Sequence, residues 1–583
     1  MAKRRVEVDS VGEGLLEILQ ARGVKFFFGG GAGTDFPPII EAFAKRAALG
    51  TGNRSDHPLE PVTVMHEITA VAMAHGYTMV TGEPQAVMLH TTVGTANAVG
   101  GIVNASRGRV PMFIAAGRPS ITETGHVTSK SQGIHWAQES YDQAGMLREY
   151  VKWDYELRRG EQLEAVVDRA LAIGQNPPAG PTYLTLPLEV LGGPLGTFEY
   201  GEVPRLRPSL PARPGAEAIE QAAERLAKAR NPVAITASLG RDPNAVAALR
   251  SLAERLAMPV IEFWNTHLNF PQDHPLHQGY LSAPFIQDAD VIAVIEADAP
   301  WFPRDTEPAE GATIIQIDED PLYERFPTRG FPTDLGLAGN PRLTLSALDA
   351  ALAARQLDES AIAARRARCA RDHQEQRTAW QSAGEAASGE TPLEPAWVSR
   401  CLAAQMGEDD IAVTEIALDR TQMCFTRPGT YFNHAHSGGL GWAPGAALGA
   451  KLANPDRTVI CAMGDGSHVF GVPTSTHYMA RACDLPVLFV VFNNSAWDRT
   501  RLATLDFAPD GWAAKTDSMP LCELEPAPDY EKICQAAGGY GERVENPAEL
   551  PAALSRALTV VREERRQALL NVISSKSRTP PPW

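Results

Sequence analysis

Short apolar runs recur along the chain and alternate with segments that have the period of an amphipathic helix. They lie at residues 86–89, 111–114, 233–235, 291–294, 314–317, 458–463 and 487–491. A strand that is apolar at nearly every position is buried on both faces, which is typical of a parallel sheet covered by helices. The pattern therefore predicts an α/β fold.

Two polar stretches divide this pattern into three units. Residues 192–214 are crowded with Gly and Pro and predict a linker, whereas residues 354–395, rich in Ala, Arg, Glu and Gln, predict a polar helix. A chain of 583 residues also exceeds the ~100–200 residues of a usual domain. We expect three domains at residues 1–191, 215–353 and 392–575, each a mostly parallel sheet covered by helices.

The composition excludes several kinds of partner. A formal net charge of −17 counts against nucleic-acid binding, because a phosphate backbone would be repelled. The charged N-terminal residues are not followed by the apolar run of a signal peptide, and no run reaches the ~20 residues that span a bilayer. The seven cysteines include no CxxC pair, which indicates neither a disulfide framework nor a zinc site. We expect a cytoplasmic enzyme without nucleic-acid or membrane partners.

Polar residues suited to a phosphate-bound cation follow two successive apolar runs. The run 458–463 stops at Gly-Asp-Gly-Ser, a helical segment follows at about 469–483, and the next run delivers Asn493-Asn494. In such a βαβ crossover the carboxyl ends of both strands lie side by side. Asp465 and an Asn carbonyl oxygen are ligands that Mg²⁺ prefers, and the glycines let the backbone approach a phosphate. The sequence predicts a site for Mg²⁺ and a diphosphate.

This motif resembles the diphosphate motif of thiamine-diphosphate-dependent enzymes of the acetolactate synthase, pyruvate decarboxylase and benzoylformate decarboxylase group, and is most similar to benzoylformate decarboxylases. The resemblance implies that pyrimidine- and diphosphate-binding domains flank a central Rossmann-like domain. It also implies thiamine diphosphate and Mg²⁺ as cofactors. The implied Mg²⁺ ligands are Asp465, the side chain of Asn494 and the backbone oxygen of Ala496. The implied cofactor-binding residues are Glu67, Gly438, Leu440, Gly464, Asp465, Gly466, Ser467 and Asn494.

Two further segments resemble parts that a thiamine enzyme needs. Glu67 stands at the start of a predicted helix, like the family's acid beside the aminopyrimidine ring, whose proton transfer activates the cofactor. The alternative is that Glu67 only caps that helix. The run 436–442 resembles the segment that bends the cofactor. Leu440 would be its wedge, and the Gly438 carbonyl would accept a hydrogen bond from the cofactor's amino group.

Four residues resemble members of a substrate pocket. His90, after the run 86–89, and His274 match two active-site histidines of benzoylformate decarboxylases. Thr34 replaces a substrate-contacting serine, and Gln138 falls where acetolactate synthases carry a Phe-Gln-Glu triplet. Histidines titrate near neutrality and can therefore supply and remove protons. For each histidine the alternative is a purely structural role. In the case of His274, the surrounding segment also occurs in acetolactate synthases without a catalytic function.

The segment beyond Asn494 departs from the family pattern. Arg499 and Arg501 follow closely after Asp498, which indicates an anionic part of the substrate, an internal ion-pair network or a solvated surface. Residues 505–521 predict a long loop that acts as a lid. The central unit has no GxGxxG fingerprint, so we expect no FAD.

The leading hypothesis is a thiamine-diphosphate-dependent lyase that cleaves the C–C bond next to the carbonyl of a 2-oxo acid. Decarboxylation through an enamine would release an aldehyde. The alternatives are an acetolactate-synthase-like carboligase, a 2-hydroxyacyl thioester lyase and a non-catalytic member of the fold. In the family each cofactor lies between two subunits, so the resemblance implies a homodimer or homotetramer with Glu67 from one chain and Asp465 from the other.

Overall fold

The computed structural model describes residues 2–50 and 58–577, and its first sheet contains six parallel strands in the order β3-β2-β4-β5-β7-β6. The strands of this part are β1 (Lys3–Ser10), β2 (Phe26–Gly30), β3 (Glu60–Val64), β4 (Ala86–Leu89), β5 (Phe113–Arg118), β6 (Asp154–Glu156), β7 (Thr182–Pro187) and β8 (Pro194–Gly201). Its helices are α1 (Val11–Ala21), α2 (Pro37–Leu49), α3 (Glu67–Thr81), α4 (Thr91–Arg107), α5 (Ile134–Ala137), α6 (Leu163–Gln175) and α7 (Leu188–Leu191).

The central sheet has five parallel strands in the order β10-β9-β11-β12-β13. Its strands are β9 (Pro232–Thr236), β10 (Val260–Glu262), β11 (Val291–Ile295), β12 (Thr313–Asp318) and β13 (Leu335–Ala338). The helices of this part are α8 (Ala216–Lys228), α9 (Pro243–Leu256), α10 (Ala283–Ile286), α11 (Pro341–Ala353) and α12 (Glu359–Ala386). Helix α12 confirms the polar helix predicted within residues 354–395.

The C-terminal sheet has six parallel strands in the order β15-β14-β16-β17-β19-β18. Its strands are β14 (Ile411–Glu415), β15 (Tyr431–Asn433), β16 (Val459–Gly464), β17 (Val487–Asn493), β18 (Tyr540–Val544) and β19 (Ala568–Ile573). The helices are α13 (Pro395–Ala403), α14 (Trp442–Ala453), α15 (Asp465–Phe470), α16 (Pro473–Ala482), α17 (Asp498–Phe507), α18 (Trp512–Thr516), α19 (Tyr530–Ala536) and α20 (Leu550–Arg562). The predicted α/β fold with three mostly parallel sheets is confirmed.

Helices α3 and α14 pack so closely that the outer two sheets share one apolar core. Their backbones touch at glycines: a Cβ on Gly76 would lie 2.0 Å from the carbonyl oxygen of Ala446, and one on Gly449 would lie 1.9 Å from that of Met73. Any larger side chain would push the helices apart. This contact fixes the N-terminal sheet against the helix that follows the predicted wedge segment.

Part of the predicted linker at 192–214 is wrong, because its first residues form β8, which pairs antiparallel with β1. The helix predicted at about 469–483 begins earlier, at Asp465, and is interrupted before Pro473, which lacks the N–H that an uninterrupted helix requires. The loop predicted at 505–521 is also partly helical, since it includes the end of α17 and all of α18.

Two findings concern the remaining expectations from composition. All seven cysteines lie in the described residues as free thiols. No helix in the described ranges is both long and apolar enough to cross a lipid bilayer.

Candidate active site

The carboxyl ends of β16 and β17 lie side by side, as the crossover predicted, with Gly464 opposite Phe492. Asp465 begins α15 directly after β16 and is 2% exposed. Its Oδ1 accepts a hydrogen bond from the Gly466 N–H at 2.9 Å, whereas Oδ2 is buried without a partner among the described residues. Burial raises the pKa of Asp465 to about 6. A buried carboxylate oxygen without a partner is costly, and a cation would satisfy it.

Asn494 and Ala496 follow the neighbouring strand in a tight turn. The Asn494 Oδ1 accepts from the Ala496 N–H at 3.1 Å, and the Ala496 carbonyl accepts from the Asp498 N–H at 2.9 Å. Each of these oxygens keeps a second lone pair. The preceding Asn493 has a structural part instead, because its Nδ2 donates to the Asn571 Oδ1 at 3.0 Å. Only the second asparagine is therefore placed to hold a ligand.

These oxygens suit Mg²⁺, which prefers carboxylate, amide and carbonyl ligands and usually completes its shell with phosphate and water. Asp465, Asn494 and Ala496 all line one cavity of about 600 Å³. No cluster of three or more His, Cys, Asp and Glu side chains that could hold a metal occurs within residues 2–50 and 58–577. The donor set thus fits a hard cation that is shared with a diphosphate, and Mg²⁺ binding stays a prediction.

The same cavity collects the other predicted cofactor-binding residues of the C-terminal domain except Gly438, which is not part of its wall. Its wall includes Leu440, Gly464, Asp465, Gly466, Ser467, Asn494, Ala496, Trp497 and Arg499. A Cβ on Gly466 would lie 2.2 Å from the Trp497 ring, so this position requires glycine. Every described residue of the wall lies between residues 383 and 577.

The loop that carries Leu440 is held by a residue of the N-terminal domain. Asn104 on α4 donates from Nδ2 to the Gly439 carbonyl at 2.7 Å and accepts at Oδ1 from the Gly439 N–H at 3.1 Å. Its Oδ1 also accepts from the Ser437 hydroxyl at 2.6 Å. Gly438 has a φ of +66°, a left-handed conformation that favours glycine. The predicted wedge is therefore clamped across two domains.

A second clamp comes from Glu415 at the end of β14. Its carboxylate accepts from the backbone N–H groups of Gly441 at 2.8 Å and Ala443 at 2.9 Å, and it also bonds the Ser467 side chain. Burial raises the pKa of Glu415, while these N–H groups oppose that rise. Neither Glu415 nor Asn104 was predicted from the sequence. A carboxylate at the carboxyl end of a buried strand was the signal for Glu415.

Glu67 is the first residue of α3 and is 7% exposed. The helix is capped by His66, whose Nδ1 accepts from the Ile68 N–H at 3.2 Å, so Glu67 is an acidic residue of the first turn and not the N-cap itself. The Glu67 Oε2 accepts from the Asn97 Nδ2 at 3.2 Å. A Cβ on Gly31 would lie 2.6 Å from its Oε1, so the carboxylate rests directly on backbone.

His90, Gln138 and Thr34 form one group next to Glu67, with Asp35 as a member that was not predicted from the sequence. The His90 Nδ1 donates to the Asp35 Oδ1 at 2.5 Å, and its Nε2 lies 3.0 Å from the Gln138 Nε2. The hydrogen bond to Asp35, which is 2% exposed, raises the pKa of His90. The Thr34 hydroxyl bonds the His135 Nε2 at 3.1 Å. Asp35 therefore fixes the tautomer that leaves the His90 Nε2 as an acceptor.

We expect Asp35→Asn to lower the pKa of His90, because the substitution removes the negative charge that favours the imidazolium form. The limb of the kcat/KM profile that reports His90 would then move to lower pH. NMR titration of the His90 ring protons measures the pKa directly. Asp142→Asn, at an exposed carboxylate of the same domain, is the control. An unchanged His90 pKa in Asp35→Asn would contradict this assignment.

His274 is not brought to the other predicted residues. Its Nε2 lies 3.0 Å from the Glu254 Oε1 on α9, its Nδ1 accepts from the Leu276 N–H at 3.1 Å, and its ring packs edge-on against Phe270. Both ring nitrogens are thus engaged within the central domain, and His274 does not line the cavity in the described structure. A catalytic part for His274 stays a prediction without support from this geometry.

The two arginines after Asn494 have different surroundings. Arg501 pairs with Asp498 at 2.7 Å, and Asp498 also accepts from the Ser577 N–H at 2.9 Å, so this pair holds the backbone at Ser577. Arg499 lines the cavity, with its guanidinium 6.0 Å from the centre of the Trp264 ring. Burial lowers the pKa of Arg499 to about 10, which still leaves it positively charged at neutral pH.

The carboxyl edge of the central sheet carries a dense ion-pair network. Asp318 at the end of β12 pairs with Arg109 at 2.6 Å and accepts from the Tyr323 hydroxyl at 2.8 Å. Beside it, Arg241 pairs with Glu296 at 2.5 Å. These side chains occupy the edge where an open α/β sheet usually binds a nucleotide. The expectation that FAD is not a cofactor stays a prediction.

Three protein-family profiles match the chain. They are the N-terminal TPP binding domain, the central domain and the C-terminal TPP binding domain of the thiamine pyrophosphate enzymes, at residues 9–146, 219–348 and 411–572. The central profile spans all strands of its sheet, the N-terminal profile spans β2 to β5, and the C-terminal profile runs from β14 into β19. The two TPP binding profiles include Glu67 and Asp465, respectively.

Individual relatives match almost the whole chain at low identity. Benzoylformate decarboxylase of Pseudomonas aeruginosa is 27% identical over 94% of this chain and 96% of its own length. Acetolactate synthase isozyme 3 large subunit of Escherichia coli is 25% identical over 96% of this chain and 94% of its own length. The structure of benzoylformate decarboxylase from Polynucleobacter necessarius superposes with a TM-score of 0.78 at 24% identity, covering 98% of this chain and all of that one. The last likeness establishes the fold alone.

Proposed function

Because this chain belongs to the thiamine pyrophosphate enzyme family, we propose that it is a thiamine-diphosphate- and Mg²⁺-dependent lyase that removes CO₂ from a 2-oxo acid and releases an aldehyde. The observation that carries the proposal is the buried Asp465 Oδ2, which has no partner among the described residues and lies on the cavity wall with Asn494. An ionic oxygen of this kind is held ready for a cation.

When bound, thiamine diphosphate supplies a carbon nucleophile and an acceptor for the electrons that decarboxylation releases. Asp465, Asn494 and the Ala496 carbonyl would hold the Mg²⁺ that neutralises its diphosphate. Leu440, on the loop clamped by Asn104 and Glu415, would shape the cavity between the two ends of the cofactor.

The residues around Glu67 in the N-terminal domain would transfer protons and contact the substrate. Glu67, whose carboxyl group is buried, would exchange a proton with the aminopyrimidine ring. His90, oriented by Asp35, presents Nε2 on the side of Gln138 and would take and return a proton at the substrate oxygen. The Thr34 hydroxyl would contact the substrate carboxylate.

We further propose that the working unit is a homodimer or homotetramer. The cavity wall includes no described residue of the N-terminal domain, so one chain leaves Glu67 outside its own cavity. Apolar side chains around the N-terminal group are also exposed in the single chain, among them Val93, Val127, Trp136 and Tyr141. A patch of this kind is typical of a surface that a second copy covers. The partner's cavity would then complete the site.

A carboligase that joins the activated fragment to a second carbonyl compound is the second candidate. It is favoured by the similarity to acetolactate synthase and by the position of Gln138, whose Nε2 lies 3.0 Å from the His90 Nε2. A 2-hydroxyacyl thioester lyase uses the same cofactor chemistry in the cleavage direction, and remains an outcome of the test below.

The test is a substrate screen with the holoenzyme. Protein saturated with thiamine diphosphate and Mg²⁺ is offered 2-oxo acids and 2-hydroxyacyl thioesters, each with and without aldehyde acceptors. CO₂ release and mass spectrometry identify the products. We expect CO₂ and one equivalent of aldehyde without an acceptor. Product formation that requires an acceptor would favour the carboligase, and no product from any substrate would contradict an enzymatic function.

A further inference from the structure

A second, smaller cavity lies next to the proposed active site and has a basic wall. It shares the residues 416–418 with the cavity beside Asp465 and has a volume of about 20 Å³. Its wall includes Arg420, His434 and Trp264, and the Arg499 guanidinium lies 6.0 Å from the centre of the Trp264 ring. We refer to Arg420, His434 and Arg499 together as the basic subsite.

Arg420 is the strongest feature of the subsite. It is 4% exposed, and neither Nη1 nor Nη2 has a hydrogen-bond partner in the described part of the chain. Its guanidinium lies 4.3 Å from the centre of the Tyr280 ring, a contact that stabilises the cation but leaves its N–H groups unsatisfied. A buried cation normally has both a countercharge and hydrogen-bond acceptors, since removing it from water is costly.

The carboxylates near Arg420 are engaged elsewhere. Asp298 pairs with His436 at 2.7 Å, and Asp419 accepts from the backbone and hydroxyl of Thr421. Glu262 accepts from the backbone N–H of Asn269 and from the His277 Nε2. It also accepts from the side-chain amides of Asn265, Asn269 and Gln272. None of them forms an ion pair with Arg420 in the described structure. A ligand is therefore the available source of an anion.

His434 adds a second buried side chain with an unsatisfied hydrogen-bonding atom. It is buried, and its Nδ1 has no partner among the residues that the structure describes. Burial lowers the pKa of His434 to about 4, with the charges of His436 and Arg499 acting in the same direction. The ring is thus neutral at physiological pH and offers one N–H without a further charge.

We propose that the basic subsite binds a distal oxyanion of the substrate, so that the enzyme acts on 2-oxo acids carrying a second carboxylate or sulfonate. The reacting carbonyl would lie beside Leu440 in the larger cavity, with the distal group between Arg499 and Arg420. The volume of the smaller cavity admits about one oxygen atom, which suits the tip of an oxyanion and excludes a ring. This substrate class rests on the proposed function, whereas the anion site itself depends only on residues of this chain.

Calorimetry with two unreactive probes tests the subsite without turnover. Glutarate carries two carboxylates, and pentanoate has the same chain length with one. We expect the holoenzyme to bind glutarate at least about tenfold more tightly, because charge-assisted hydrogen bonds to a buried guanidinium are strong. Arg420→Gln and Arg499→Gln should each remove most of that difference. Arg427→Gln, which removes an exposed arginine following the same segment, should leave it unchanged.

Two further measurements keep the outcomes distinct. Arg420→Lys retains the charge and should retain part of the preference even where Arg420→Gln fails to fold. Thiamine diphosphate binding is measured separately on each variant and should equal that of the unsubstituted protein. Equal affinities for glutarate and pentanoate would overturn the subsite. A glutarate preference in protein that does not bind thiamine diphosphate would support the subsite and contradict the proposed function.

Discussion

Replacing Glu67 by Gln is expected to lower turnover by about a thousandfold while thiamine diphosphate still binds. Gln has nearly the same shape and can keep the hydrogen bond with Asn97, but it has no proton to exchange. The packing of Gly31 against the side chain would be preserved. Steady-state kinetics gives turnover, and calorimetry gives the cofactor affinity of the same preparation.

Glu60→Gln provides the matched control, because Glu60 is an exposed carboxylate on β3 of the same domain. It should leave both turnover and cofactor affinity unchanged. Turnover of Glu67→Gln within about threefold of the unsubstituted enzyme would show that the buried carboxyl group transfers no proton in the steps that limit turnover.

Replacing Asp465 by Ala is expected to abolish activity by removing the Mg²⁺ ligand and to weaken thiamine diphosphate binding at least about a hundredfold. The cofactor-free protein should not lose stability. Asp465 is a buried carboxylate whose Oδ2 lacks a partner in the described residues, and relief of such a group commonly gains about 1–3 kcal/mol. This combination separates a ligand-binding residue from one that only supports the fold.

Thermal unfolding with and without thiamine diphosphate and Mg²⁺ measures both effects. At a cofactor concentration of about one hundred times Kd, binding should stabilise the unsubstituted protein by about 2.7 kcal/mol. Asp465→Ala should lose this gain, and Asp456→Ala, at an exposed carboxylate after α14, should keep it. A cofactor-free Asp465→Ala protein that melts well below the unsubstituted one would indicate a structural part for Asp465.

The sequence predicted features whose cause is local. Buried parallel strands such as β4, β11 and β17 are apolar at nearly every position, so their places were visible from the runs alone. The meeting of Asp465 and Asn494 followed from the geometry of one crossover between neighbouring strands. For this reason the diphosphate half of the candidate site can be predicted from the sequence.

Features that depend on distant contacts were missed. Strand β8 is paired with β1 across most of the N-terminal domain, and no local pattern indicates that pairing. Asn104 reaches Gly439 over a separation of 335 residues, and Asp35 reaches His90 over 55. The different environments of Arg499 and Arg501 also arise only in three dimensions, because both residues are arginines and they lie two positions apart in the sequence.

The central claim is that one chain's Glu67 and the other chain's Asp465 form a single active site. It is tested most directly by a heterodimer that combines Glu67→Gln in one subunit with Asp465→Ala in the other, isolated through two different affinity tags. One of its two sites would then contain both substitutions and the other would contain neither. The account predicts about half of the activity of the unsubstituted dimer, although each variant alone is inactive. A heterodimer no more active than either variant would contradict it.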